Sequence, residues 1–308
     1  MGGDRFTAEQ REGFAWNRAS WNERVEAHWR SRMYQAHADA LRAGGHDLEP
    51  RLTEAMGDVA GQRLAHLQCH MGMETLGWER LGAEACGLDF SPPAIERACL
   101  LRDELGMSTR FVVGNVYDAP QLLGDGFDAV FVSVGSLCWL PDVRRWAEVV
   151  ATLLNEGGRL LLDDVHPLLN TLDNAPGEPG FAFRYPYLGG DRVVLDEDGT
   201  YVDGDHSFEN QRSAEWNHSL GDIVTGLIDA GLRVDSLNES AHCVWKALDV
   251  MSTEDEQTWQ FPEPWRDRIP TLFTLRATRT GPLGVTRPRG SSTGSDPSGD
   301  DSRASPRA

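Results

Sequence analysis

No run of 18 apolar residues occurs in this chain, so the sequence offers no candidate for a membrane-spanning helix. Its N-terminus, Met1-Gly-Gly-Asp-Arg-Phe6, lacks the basic-then-apolar pattern of a secretory signal, and a cytoplasmic location is expected. Positive charge is scarce. The chain has 29 Lys and Arg against 48 Asp and Glu, a net charge of -19, which repels polyphosphate and argues against double-stranded nucleic acid as a partner. Paired cysteine spacing is also missing. Of the five cysteines, Cys69, Cys86, Cys99 and Cys138 lie in apolar strand or helix patterns with no C-x-x-C, which reads as small core residues and no metal site. No internal repeat is found. What is present is 308 residues with 40% hydrophobic content, enough for one large globular domain or two small ones.

Hydrophobic periodicity divides the chain into five stretches. Residues 1–58 read as an N-terminal helical cap with unusual aromatic content: Phe14, Trp16, Trp21, Trp29 and Tyr34 lie in amphipathic stretches rich in Arg and Glu. Residues 59–168 alternate strand and helix patterns: strands near 63–69, 83–88, 110–114, 127–134 and 159–164, with helices from 73, over 92–105 and over 143–154. That alternation predicts a parallel sheet with right-handed crossovers. Ser91 caps the 92–105 helix ahead of Pro92, with Ile95, Ala98, Cys99 and Leu105 as its buried stripe. Asp142 starts the next helix, whose inner face is Val143, Trp146, Val150 and Leu153 and whose stop is Gly157-Gly158. Residues 169–213, rich in Pro, Gly and aromatics, read as a lid insertion, with 193–202 as a local hairpin on an Asp-Gly turn. Residues 214–280 return to the core: a helix after Ser219 turns Leu220, Ile223, Leu227 and Ile228 inward, and strands at 232–238 and 271–279 bring the count to seven. Residues 281–308 have almost no apolar side chains and are expected to be a disordered tail.

One segment carries the chemistry. Arg63-Leu-Ala-His-Leu-Gln-Cys-His-Met-Gly-Met-Glu-Thr-Leu76 reads as a buried strand, a tight turn and a helix, and Gly87-Leu-Asp-Phe-Ser91 as a second strand ending on a carboxylate. In an open α/β sheet this arrangement places backbone N–H groups and a ribose-binding acceptor at one edge, which implies a small nucleoside-containing cofactor. A dinucleotide is disfavoured, because Gln68 and His70 stand where a pyrophosphate loop needs glycine and only Gly72 remains. In order and spacing these segments, with Val113-Gly-Asn-Val-Tyr117, Phe127-Asp-Ala-Val-Phe-Val-Ser-Val-Gly135 and Glu156-Gly-Gly-Arg-Leu-Leu-Leu162, resemble the motifs of class I S-adenosylmethionine-dependent methyltransferases of the small-molecule type. The resemblance covers residues 60–165. The first motif departs from the usual D/E-x-G-x-G-x-G, with His66 where an acidic residue is common. The fold so implied is α/β, a Rossmann-like seven-stranded methyltransferase sheet with the helical cap and the lid.

The resemblance implies S-adenosylmethionine as cofactor and assigns its neighbours. Asp89 is the ribose ligand and Phe90 lies against the adenine face. Asn115 reads the adenine amino edge, with Val116 beneath the ring. The loop through Gln68, Cys69, His70, Met71 and Gly72, with Thr75 behind it, passes the methionine moiety, and Val134, Gly135 and Ser136 line the methyl donor. Tyr34 and Arg30 on the cap close over the methionine carboxylate. For catalysis, His166 lies beyond the fifth strand at the edge where this fold puts substrate, and His218 stands in a second polar cluster, Glu215-Trp-Asn-His218, in which Trp216 packs the lid.

These assignments point to methyl transfer to a small organic acceptor, O- or N-methylation of a natural product, with neither nucleic acid nor membrane as partner. Two rivals remain: a methyltransferase acting on protein, tRNA or rRNA, and a non-catalytic relic that keeps the cofactor pocket as a partner protein.

Overall fold

A computed structural model of the chain describes residues 6–175, 180–254 and 258–281. The expected tail therefore falls outside the described residues, except for Gly281. The cap consists of α1 (Ala8–Arg30), α2 (Arg32–Arg42) and α3 (Pro50–Met56). The core runs β1 (Arg63–Leu67), α4 (Met73–Arg80), β2 (Glu84–Asp89), α5 (Pro92–Glu104), β3 (Arg110–Val113), α6 (Ala119–Leu123), β4 (Phe127–Val132), α7 (Val143–Leu153) and β5 (Leu154–Val165). The lid holds β6 (Leu172–Asn174), β7 (Phe181–Phe183), β8 (Arg192–Asp196) and β9 (Arg212–Trp216). The chain then continues through α8 (Leu220–Asp229), β10 (Leu232–Ser240), the short β11 (Ser252–Thr253) and β12 (Trp259–Gln260), and β13 (Leu272–Arg279).

Seven strands form the central sheet in the order β10-β13-β5-β4-β1-β2-β3. The parallel pairing expected of the core stretch is found among β1 to β5, and the late strand departs from it: β13 lies antiparallel to both β10 and β5. Strand order reverses between β1 and β4, which are paired in parallel, so the loops after them part and open a crevice at their carboxyl ends.

Local chemistry explains most boundaries. Ser91, Asp142 and Ser219 each accept a backbone N–H three residues on and start α5, α7 and α8. Val143, Trp146, Val150 and Leu153 all lie buried against the sheet, as their spacing predicts. Burying a side chain of that size stabilises by about 1.5–3 kcal/mol. Helix α7 stops at Leu153, earlier than the glycine pair, because Leu154 already pairs with Phe127; the strand then bulges through Gly157 and resumes pairing at Arg159 opposite Ala129. On α5 the buried stripe is Ala94, Ile95, Ala98 and Leu101, while Cys99 and Leu105 are only half-buried. On α8, Ile228 is 57% exposed, because Ile223, Gly226 and Leu227 make the inner face.

The lid differs more. Residues 193–202 do not fold back on themselves; β8 pairs antiparallel with β9, with Val193 opposite Glu215 and Val194 opposite Ala214. Nor is the inner stripe of α1 aromatic: Gly13, Asn17, Ser20, Arg24, Val25 and His28 are buried, and the rings lie on its flanks. The reason is what this helix packs against. Asn17 exchanges two hydrogen bonds with the backbone of Ala214, at 2.8 and 2.7 Å, extending the β9 edge with a side chain. The Arg24 guanidinium donates to the carbonyls of Glu197, Gly199 and Asn210. Gly13 permits the contact, since a Cβ there would stand 2.6 Å from the Trp216 ring. Cap and lid are thus joined through polar contacts over the carboxyl edge of the sheet.

Candidate active site

The loop after β1 keeps its shape without two of its expected glycines. Gln68 and His70 both adopt the left-handed conformation, φ 58° and 48°, and Gly72 follows at 73°. Each non-glycine residue held there costs roughly 1 kcal/mol or more. The cost is offset by fixed partners: Cys69 N–H donates to the Leu88 carbonyl, His70 N–H to the Asp89 carboxylate at 2.9 Å, and the Gln68 amide to the Ser136 carbonyl at 2.9 Å. Gly72 is required, since a Cβ there would press into the Phe111 ring and the Ala98 methyl. Cys69 is buried among apolar neighbours, and burial holds its thiol well above the ordinary range. Thr75 stands behind this loop, next to Cys69. Its hydroxyl bonds His66 Nδ1 at 2.9 Å, while His66 Nε2 meets the Ser133 hydroxyl at 3.1 Å. His66 is fully buried, and desolvation pushes its pKa down to about 3, so the ring that replaces an acidic residue is neutral.

At the end of β2, Asp89 accepts His70 N–H with one oxygen and Ser91 N–H with the other, both at 2.9 Å. Burial raises its pKa to about 6 against the opposing pull of those donors. Next to it lies a cavity of about 250 Å³, lined by Phe90, Val113, Gly114 and Asn115 from the sheet side and by Arg11, Phe14, Ala15 and Arg18 from α1. The Asn115 side-chain oxygen accepts Tyr117 N–H at 3.1 Å, and Val116 is buried.

Above the loop the cap and lid bring rings together. The Tyr34 hydroxyl lies 3.1 Å from His70 Nδ1 and 2.5 Å from the Tyr201 hydroxyl. Trp21 meets His28, His70 and Trp139 edge-on at 5.7, 5.4 and 5.5 Å between centroids. Burial pushes the His28 pKa down to about 2 and that of His70 to about 4, so both imidazoles are neutral. Two buried atoms at this loop, Gln68 Oε1 and His70 Nε2, have no hydrogen-bond partner in the protein.

The loop after β4 is held from the neighbouring strand. Asp164, fully buried on β5, accepts the N–H groups of Gly135, Ser136, Leu137 and its own successor Val165. This fixes Val134, Gly135 and Ser136 beside the loop after β1, which the Gln68 contact to Ser136 completes.

Three expected site residues are placed otherwise. His166 accepts Leu168 N–H at Nδ1 and pairs with Glu239 at Nε2, 2.8 Å away, so both ring nitrogens serve to order the loop after β5. His218 is buried and donates from Nε2 to the Leu140 carbonyl at 2.6 Å, tying the end of β9 to the turn 137–139. Arg30 points outward into an exposed pair with Glu26. Conversely, two enclosed carboxyls had no role from the sequence, although Glu215 stood in the cluster Glu215-Trp-Asn-His218. Glu215 on β9 faces Cys138 and Tyr185, and burial together with Glu197 raises it to about 7; Glu74, in the first turn of α4, faces Ser133 and is likewise raised to about 7 by burial. Both sit in ordinary helix or strand patterns, and only the third dimension turns them inward.

A family model described as a methyltransferase domain matches residues 65–160, which run from β1 through β5 and include both loops and Asp89. The core of this chain is a methyltransferase domain. Relatives of this methyltransferase include the ubiquinone biosynthesis O-methyltransferase of Xanthomonas euvesicatoria pv. vesicatoria, 25% identical over 71% of this chain and 84% of the relative. The enzyme of the same description from Xanthomonas oryzae pv. oryzae is 28% identical over 44% of this chain and 52% of its own length. Among solved structures, an S-adenosylmethionine dependent methyltransferase from Mesorhizobium loti superimposes with a TM-score of 0.54 at 19% identity, over 76% of this chain and all of that one. One from Clostridium acetobutylicum gives 0.51 at 14% identity, over 81% and 98%. These structures share the fold. The methyltransferase is an enzyme, and its cofactor is S-adenosylmethionine. The crevice suits that ligand: the unpartnered buried atoms of Gln68 and His70 lie at one end and the cavity beside Phe90 and Asn115 at the other. Cap and lid lie outside the matched domain. Among the described residues no helix is long and apolar enough to cross a membrane.

Proposed function

We propose that this methyltransferase methylates a small organic acceptor, at oxygen in preference to nitrogen. The observation that carries the reading is the cluster of Trp21, His28, His70, Trp139 and Tyr201, rings packed edge-on above the loop after β1 and contributed jointly by cap, lid and core loops. A wall of rings and neutral imidazoles suits a compact, uncharged or aromatic acceptor better than a polymer backbone. The O-methyltransferase descriptions of the relatives favour oxygen.

When bound, S-adenosylmethionine supplies an electrophilic methyl group on a sulfonium. In this proposal Asp89 accepts from the ribose hydroxyls with the lone pairs its two amide donors leave, and Phe90, Asn115 and Val116 flank the adenine. Cys69, His70, Gly72 and Tyr34 border the methionine end, and Val134 and Gly135 the methyl group. Glu215 replaces His166 and His218 as the group that takes the acceptor's proton. It is enclosed and faces the loop after β4, and a pKa of about 7 matches general-base work near neutrality.

The test is incubation with radiolabelled S-adenosylmethionine and separated small-molecule, RNA and protein pools. Label is expected in the small-molecule pool, and Glu215→Gln should lower that turnover about 10²–10⁴-fold while S-adenosylhomocysteine affinity holds. Label confined to RNA or protein would overturn the acceptor class.

A further inference from the structure

The amino-acid end of S-adenosylmethionine carries an ammonium as well as a carboxylate, and a buried cation needs an anionic partner. Three carboxyls lie within reach of the loop after β1. Asp89 is committed to two amides at the ribose side. Asp163 is spent on a two-pronged pair with Arg51 and on the Thr274 hydroxyl. Glu74 is the third. It stands two residues after Gly72 and beside the Ser133 hydroxyl, which meets neutral His66. The hydroxyls of Tyr34 and Tyr201 close the space above, and both feel its charge. At the same loop Gln68 Oε1 and His70 Nε2 are buried without partners, an acceptor and an imidazole nitrogen awaiting a polar ligand.

Resting on the assignment of the donor to this crevice, we infer that Glu74 receives the α-ammonium group of the donor's methionine end, with Gln68 Oε1 as a second acceptor. Burial gives the empty protein a Glu74 pKa of about 7, so ionisation precedes binding and affinity rises with pH through that value. The other charged and titratable groups facing Glu74 are His37 and Tyr34 on α2, Glu49 ahead of α3, Asp163 on β5 and Tyr201 in the lid.

Calorimetry with two probes tests this: S-adenosylhomocysteine, and 5′-methylthioadenosine, which keeps the nucleoside and thioether but lacks the amino acid. Glu74→Gln should weaken S-adenosylhomocysteine about 10–100-fold and leave methylthioadenosine within about twofold, which also certifies that the variant is folded. In the wild type, preference for S-adenosylhomocysteine over methylthioadenosine should grow about tenfold from pH 6 to pH 8, and this growth should vanish in Glu74→Gln. Unchanged S-adenosylhomocysteine affinity in the variant, or an equal loss for both probes, overturns the inference alone. A flat wild-type preference across pH does the same if the variant does not fold. Failure of the wild type to bind either probe overturns the donor assignment itself, and this inference with it.

Discussion

The Asp164 carboxylate accepts the backbone N–H of Leu137 at 2.9 Å, reaching from β5 to a loop 27 residues earlier in the chain. The same side chain takes the N–H groups of Gly135, Ser136 and Val165, so one buried anion replaces the ladder that β4 loses as it ends. Burial pushes its pKa up to about 6 in spite of four donors, a sign of how dry the position is.

Replacing Asp164 by Ala would strand those donors away from water. The expected cost is at least about 3 kcal/mol of folding stability, since each unsatisfied buried donor costs about 1–3 kcal/mol. Urea denaturation checks the loss, and hydrogen exchange should show the Leu137 amide losing protection first. A loss below about 1 kcal/mol would mean that the loop holds itself.

His66 should make stability depend on acid in a way its removal abolishes. Its pKa is depressed in the folded protein, to about 3 against an ordinary 6.5, so the stabilisation from the neutral ring is fully present above 6.5. It is lost as pH falls from 6.5 toward 3, at about 1.4 kcal/mol per unit. The stability difference between wild type and His66→Asn should therefore shrink by about that amount per unit between pH 6.5 and 5. Denaturant midpoints at pH 7.5, 6.5 and 5.5 measure it, and taking the difference cancels the opposite drift of the buried carboxyls. A difference that stays constant with pH would rule out a buried neutral imidazole.

Asp89→Ala should weaken S-adenosylhomocysteine and methylthioadenosine alike, by about 1.5–3 kcal/mol, because both carry the ribose. It should also lower stability, since His70 and Ser91 lose their acceptor. Equal calorimetric affinities for the folded variant and the wild type would remove Asp89 from the ribose site.

The elements of the sheet were legible because they rest on local rules. Period-two and period-3.6 apolar patterns, the capping residues Ser91, Asp142 and Ser219, and the carboxylate at the end of β2 need only neighbouring residues to act. The reversed direction of β13 was not legible, because strand direction is settled by the partners it meets, β5 and β10.

The donor loop was half legible. Its position followed from the motif order, but glycine at Gln68 and His70 was the expected means of reaching left-handed backbone. The protein instead holds two larger residues there by bonds to Asp89 and Ser136.

What the sequence determined by itself is the class of fold, the nucleoside edge and the kind of cofactor, all consequences of patterns a few residues long. Which side chains are free to do chemistry was decided only by the tertiary structure. His166 looked available until Glu239, 73 residues away, occupied its ring, whereas Glu74 and Glu215 had no role of their own until cap and lid enclosed them. A buried polar atom acts on a ligand only if no protein partner reaches it first, and that competition is settled between elements far apart in the chain.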